Sequence, residues 1–304
     1  MHGLRANVFR VRNKLPRVIA PDIIRVMRLL TFRTNGGTQA GRVEGEEVVD
    51  LPFSDVGALL ASGDNWPQVA RAIGDRRPLD NLDLAPVVPH PSKIFCLGLN
   101  YLGHVQEGRG EDRIVPEFPV LFAKFADSLT GPRDKIMIPR ASKKVDWEAE
   151  LVVVIGKTVR NADEDHAIAA IAGYAVGNDV TMRDWQSRTS EWLQGKAWGK
   201  SSPVGPLVTS DEVGGDGRPD LEISCALDGV EMQKSRTSNL LFDCVRCVMY
   251  TSTVIVLRPG DLIFTGTCAG IGAARTPPVF IEPGQVLTTR IERLGELRNA
   301  FYAE

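Results

Sequence analysis

This chain is poor in the residues that usually announce a chemistry. It has five cysteines and four histidines in 304 residues, and 7% aromatics. The cysteines are Cys96, Cys225, Cys244, Cys247 and Cys268. An odd, scattered set of this kind gives no disulfide framework and fits a reducing compartment. Cys244 and Cys247 have C-x-x-C spacing, but no second pair accompanies them. Their segment reads as a helix lining a core, so zinc or redox chemistry is not expected there. Charge of one sign is lacking as well. The formal net charge is −2, which gives no general drive toward nucleic acid or membranes. No apolar run approaches the length that spans a bilayer. Internal repeats and low-complexity tracts are absent. The glycine-rich run 266–272 is not a dinucleotide fingerprint, and its plain reading is a turn between strands. What remains is an ordinary globular composition, 43% hydrophobic and 24% charged, long enough for one large domain or one plus a small one.

What the chain does have is clustered acid. Asp146-Trp147-Glu148-Ala149-Glu150 runs into Leu151-Val152-Val153-Val154-Ile155, which reads as a strand buried on both faces. Side chains on a strand alternate, so Glu148 and Glu150 share a face, with Asp146 beside them. Neighbouring anions at the mouth of a buried strand repel, and a hard cation relieves them. A solvent-exposed acidic face is the competing reading. A third acid strengthens the first reading. Asn161 reads as an N-cap with Glu164 in the capping-box position, opening a helix that runs through Ala172 to Gly173. Tyr174-Ala175-Val176 then reads as a strand ending at Gly177-Asn178-Asp179. Strand, helix, strand returns Asp179 toward Glu148 and Glu150. Three carboxylates suit Mg²⁺ or Mn²⁺, with Ca²⁺ a further option, and leave room for a chelating substrate.

Of the four histidines, His2, His90 and His166 read as structural or solvated. His104 lies three residues before Glu107, so on a helical turn the two share a face. Gly108, Gly110 and several charges follow, a loop that reads as a lid carrying a base.

These segments resemble the fumarylacetoacetate hydrolase family. D-W-E-A-E-L at 146–151 and G-N-D-V-T-M-R-D at 177–184 are similar to its acidic motifs. G-L-N-Y-L-G-H-V-Q-E at 98–107 is similar to its G-x-N-Y-x-x-H-x-x-E, and Phe118 to Lys124 to its P-x-x-F-x-K. Gly195-Lys196 before Pro203-Val204-Gly205-Pro206, and P-G-D-L-I-F-T-G-T at 259–267, complete the pattern from about Lys93 to Asn299. The resemblance implies a mainly β, α+β fold, a mixed β-sandwich roll, and pairing of two chains. It implies metal ligands Glu148, Glu150 and Asp179. It gives catalytic roles to His104, Glu107 and Lys196. It places Tyr101, Lys124, Arg183, Gln186, Gly266 and Thr267 around a small 2-oxo acid. One departure stands out. The family's K-S-F-D-x-F is here Lys196-Ala197-Trp198-Gly199-Lys200-Ser201, which removes an acid, adds a cation and favours an anionic substrate tail.

The expected organisation is a basic extension at 1–26, a small β-rich module at 27–88 and a catalytic domain at 89–304. The extension holds five arginines and Lys14 against Asp22 alone, and has no serine. We read it as lying outside the fold and expect a cytoplasmic protein, with organellar targeting as the weaker alternative. Hairpins are expected at 40–50, at 221–232 about Asp228-Gly229, and at 253–264. The expected reaction is metal-dependent hydrolysis of a C–C bond in a 2,4-dioxo acid such as an acylpyruvate. Isomerisation of a hydroxymuconate-like diacid, decarboxylation of oxaloacetate and sugar-acid dehydration are the alternatives. A metal-binding protein without catalysis is disfavoured by the presence of His104, Glu107 and Lys196.

Overall fold

The structure is a computed structural model that describes residues 27–107 and 115–304. The extension 1–26 and the centre of the expected lid, 108–114, lie outside the described residues. No helix among the described residues is long and apolar enough to cross a membrane.

Among the described residues, valine- and isoleucine-rich segments form two large sheets, beside two short strand pairs. The larger has ten strands, in the order Arg76–Pro78, Glu47–Asp50, Gly37–Glu44, Arg28–Thr34, Leu207–Thr209, Ile171–Asn178, Ala149–Ile155, Leu262–Thr267, Ile94–Gly98 and Val120–Lys124. The smaller runs Val230–Arg236, Glu222–Leu227, Val286–Ile291, Gly295–Ala303 and Ile136–Ile138. Strand Ala149–Ile155 is buried along its whole length because it feeds two cores. Leu151, Val153 and Ile155 pack with Ile223, Leu287 and Leu297 of the smaller sheet, and with helix Cys244–Val254. Val152 and Val154 point the other way, onto Phe264, Ile94, Leu29 and Leu59. The result is the mainly β, α+β architecture that the sequence leads one to expect.

The hairpin about Gly45-Glu46 forms, with Glu44 opposite Glu47. So does the one about Asp228-Gly229, whose two turn residues both take the positive φ of a type I′ turn. Two expectations fail. The N-cap of the helix Glu164–Ala170 is Asp163, whose side chain accepts from the His166 N–H; Asn161 sits before it at φ 51°. That helix gives way to strand at Ile171, before Gly173. The segment 253–264 is not a hairpin. Thr253 belongs to helix Cys244–Val254, whose buried positions recur with helical period. Strand Leu262–Thr267 pairs instead with two distant strands, antiparallel to Ala149–Ile155 and parallel to Ile94–Gly98.

Candidate metal and proton-transfer site

The β ladder assembles the acids. Ala149 lies opposite Asn178, so Glu148 and Asp179 meet where two strands end. The Asp179 N–H donates to Glu148 O at 2.9 Å, and Asn178 Oδ1 accepts from the Glu148 N–H at 3.0 Å. Glu150 sits one pleat inside. Each of the three carboxylates offers an oxygen within 4.8 Å of the others, and all three are buried.

Basic side chains surround them. Lys196 Nζ reaches Glu148 Oε2 at 2.6 Å and Asp179 Oδ2 at 2.8 Å. Lys124 Nζ donates to Asp179 Oδ1 and to the Lys196 carbonyl. Arg183 Nη1 meets Glu148 Oε1 at 2.7 Å, and its Nε meets Asp146 Oδ2 at 2.8 Å. Asp146 therefore positions Arg183 rather than joining the cluster. It also accepts from the Gly272 and Ala273 N–H groups, which fixes the glycine-rich turn.

Burial would raise the Glu148 carboxyl, but Lys196 and Arg183 overcome it and hold it at about 2. Glu150 goes the other way: burial, Asp179 and Glu148 push it well above the usual carboxylate range. Among the described residues it has one hydrogen bond, from the Gly266 N–H at 2.7 Å, and no cationic side chain bonded to it. Lys124, Lys196 and Arg183 pair with Asp179, Glu148 and Asp146, which leaves Glu150 without a cationic partner among the described residues. An all-oxygen set with one uncompensated buried carboxylate fits a hard divalent cation.

His104 and Glu107 stand on the short helix Leu102–Glu107. His104 Nδ1 lies 2.7 Å from Glu107 Oε1, and Glu107 Oε2 accepts from the Gly270 N–H at 2.6 Å. The dyad, Glu148, Lys196, Arg183, Gln186 and Thr267 line one cavity of about 740 Å³.

The remaining predicted residues are placed otherwise. The Gly266 N–H is taken by Glu150, so it braces that carboxylate instead of facing substrate. Its φ of 97°, with an added Cβ only 2.9 Å from Leu97 O and Asn100 Cβ, explains why glycine stands there. Thr267 Oγ1 donates to Ala149 O and accepts from Gln233 Nε2, so its hydroxyl is already engaged at the cavity wall. Lys124 is buried against Asp179 and does not line the cavity. Tyr101 is buried too and is absent from the lining; its hydroxyl has no partner among the described residues. Lys200, the added cation, is exposed and does not line the cavity.

Sequence reasoning missed four contributors. Gln233 accepts from the Ala149 N–H across the irregularity in the strand pairing. Phe122 and Trp192 form an edge-to-face aromatic wall. Arg275 lines the cavity just beyond the glycine-rich turn. Two of them had a local signal: Phe122 is the phenylalanine of the P-x-x-F-x-K match, and Arg275 lies close to the family's G-T motif.

Comparison with known proteins agrees with this geometry. Residues 93–302 match the fumarylacetoacetate (FAA) hydrolase C-terminal family. The mitochondrial oxaloacetate tautomerase of Xenopus laevis is 35% identical over 290 residues, 90% of this chain and 89% of that protein. The 2-hydroxyhepta-2,4-diene-1,7-dioate isomerase of Mycobacterium marinum is 30% identical with a TM-score of 0.75, covering 91% of this chain and 99% of that one. Fumarylpyruvate hydrolase of Pseudomonas aeruginosa, solved with Mn²⁺ and pyruvate, is 34% identical with a TM-score of 0.62, covering 70% of this chain and 90% of that one. The chain belongs to the fumarylacetoacetate hydrolase family.

Proposed function

We propose that this protein is a Mg²⁺- or Mn²⁺-dependent enzyme that moves a proton between the keto and enol forms of a short 2-oxo acid, with oxaloacetate the first substrate to test. The observation that carries the reading is a His–Glu dyad lining one cavity together with Glu148, a member of the buried acidic triad. The relative named oxaloacetate tautomerase supports proton transfer over the hydrolysis that the sequence put first. Hydrolysis of a 2,4-dioxo acid stays as the second reading, supported by the fumarylpyruvate hydrolase.

Glu148, Glu150 and Asp179 would hold the cation; Ca²⁺ also suits their oxygens. The cation would supply Lewis acidity toward the carboxylate and 2-oxo oxygens of the substrate. Glu107 accepts from His104 Nδ1–H and so leaves the lone pair on Nε2, where it serves as base. The base removes a proton from the enol oxygen, and the resulting imidazolium returns one to C3, so nothing is consumed. Lys196, buried between two acids, keeps a positive charge where negative charge builds on the substrate oxygens. Hydrolysis would use the same base to activate water.

The test is label. In D₂O, tautomerisation places deuterium at C3 of oxaloacetate; in H₂¹⁸O, hydrolysis of an acylpyruvate places ¹⁸O in the released acid. Deuterium exchange accelerated by the Mn²⁺-loaded protein, with acylpyruvates inert, is the expected result. Cleavage with ¹⁸O uptake and no effect on oxaloacetate would install the hydrolase instead. Replacing His104 by Ala should slow turnover by ~10²–10⁴-fold and leave Mn²⁺ affinity unchanged.

Two further expectations join the proposal. Pairing of two chains rests on family resemblance and is checked by light scattering. The mitochondrial relative and the basic segment 1–26 make import into mitochondria testable against the cytoplasmic expectation, by imaging the full chain with a C-terminal tag.

A further inference from the structure

We infer that Arg275 is a specificity residue that binds a second carboxylate on the substrate, distinct from the one that meets the acidic triad. The inference rests on the 2-oxo acid reading and names the substrate class within it: diacids rather than monoacids.

The argument begins with charge. Four basic groups line the cavity: His104, Arg183, Lys196 and Arg275. His104 is paired with Glu107, Arg183 with Asp146 and Glu148, and Lys196 with Glu148 and Asp179. Among the described residues, Arg275 has no carboxylate partner. Its hydrogen bonds go to backbone carbonyls only: Nη2 donates to Met232 O at 2.6 Å and, weakly, to Gly270 O at 3.4 Å. Its Nε–H is buried and has no partner among the described residues. A buried donor left without a partner is costly, and a guanidinium matches a carboxylate with two parallel N–H donors.

The group is also held in place. Arg275 follows the short turn Gly272–Ala274, which Asp146 clamps through two backbone N–H groups. The guanidinium lies 5.9 Å from the ring centre of the fully buried Trp147. Little conformational freedom is then lost when an anion binds. The two acids that line the cavity, Glu107 and Glu148, are each bonded to donors, so neither presents an unpaired negative charge to an incoming carboxylate. The anionic tail inferred from Lys200 in the sequence finds its receptor in Arg275 instead.

The experiment is a binding comparison that does not need turnover. The Mn²⁺-loaded full chain is titrated calorimetrically with oxalate, with 2-oxoglutarate, and with 2-oxopentanoate, which has the same chain length but a methyl group in place of the distal carboxylate. Wild type should bind 2-oxoglutarate about 10-fold or more tightly than 2-oxopentanoate. Arg275→Met should bring the two within about two-fold of each other while oxalate affinity stays at the wild-type value. Arg275→Lys should retain part of the preference, since it keeps the charge but not the fork. A preference that survives Arg275→Met overturns the inference. A parallel loss of oxalate affinity in both variants also overturns it, because Arg275 would then only brace the site. An Arg275-dependent preference in a protein that turns over neither oxaloacetate nor an acylpyruvate keeps the subsite and removes the reaction proposed above.

Discussion

Glu150 differs from its two neighbours in having a backbone amide for a partner where they have cations. That difference predicts how it responds to substitution. Glu150→Gln keeps an oxygen for the Gly266 N–H and removes the charge that burial, Asp179 and Glu148 oppose. The metal-free variant should melt at or above the wild-type temperature. Wild type should gain stability from Mn²⁺, about 2.7 kcal/mol at a hundred times its Kd, and the variant should gain almost none. Differential scanning calorimetry with and without Mn²⁺ reads both. A variant that is destabilised without metal, yet still stabilised by Mn²⁺, would remove Glu150 from the ligand set. The acids themselves were legible because same-face spacing on a strand is a local property. Their neutralisation by Lys124, Lys196 and Arg183 was not, because those partners come from separate segments that only the fold brings together. Asp146 shows the same limit. It is adjacent in sequence, but a break between Asp146 and Ala149 sends it to a different strand pair and a different partner.

At the scale of elements, local chemistry was readable and distant pairing was not. The Asp228-Gly229 turn is written in two residues. The N-cap slipped from Asn161 to Asp163 because both are capping types in one short stretch, and Asp163 is the one that reaches the His166 N–H. The β-branched run after Thr253 misled because helix Cys244–Val254 extends into it, capped by Asp243 and buried on one face. One element contact has a pH consequence. Arg33, on strand Arg28–Thr34, grips Asp134 through two hydrogen bonds, and Asp134 also accepts from Thr130 Oγ1 and the Gly131 N–H. Burial alone would raise Asp134, but those donors outweigh it and hold the group below its ordinary value. A lowered carboxyl stabilises the fold above its unfolded pKa, and that contribution fades as pH falls through the folded value. Asp134→Asn should therefore cost about 1 kcal/mol near neutrality, a modest figure because Arg33 is 36% exposed and solvent screens the pair. The gap between variant and wild type should close as pH falls below the ordinary carboxylate value and on through the lowered one of the folded state. Urea melts at a series of pH values would show it, and a gap independent of pH would reassign the effect to packing.

At the scale of the molecule, the question is whether residues 27–88 form a module that can be removed. The sequence places a boundary near Pro86 to Pro91, and the segment there is rich in proline. The sheet runs across that boundary. Strand Arg28–Thr34 pairs with Leu207–Thr209, which in turn pairs with Ile171–Asn178, the strand leading to Asp179. Leu29, Leu51, Leu59 and Leu60 share a core with Val152, Val154 and Phe264 from the strands that carry the site. Cutting the chain to 89–304 would strip that core on one side and leave the outer edge of Leu207–Thr209 unpaired. A bare edge beside exposed leucines and valines is a template for aggregation. The shortened chain should therefore lose its cooperative thermal transition and any Mn²⁺-dependent stabilisation, and dynamic light scattering should find it associated. A monodisperse product that melts cooperatively and is stabilised by Mn²⁺ would establish the boundary at 89 as a true domain limit, with the shared sheet and core dispensable to the acids they support.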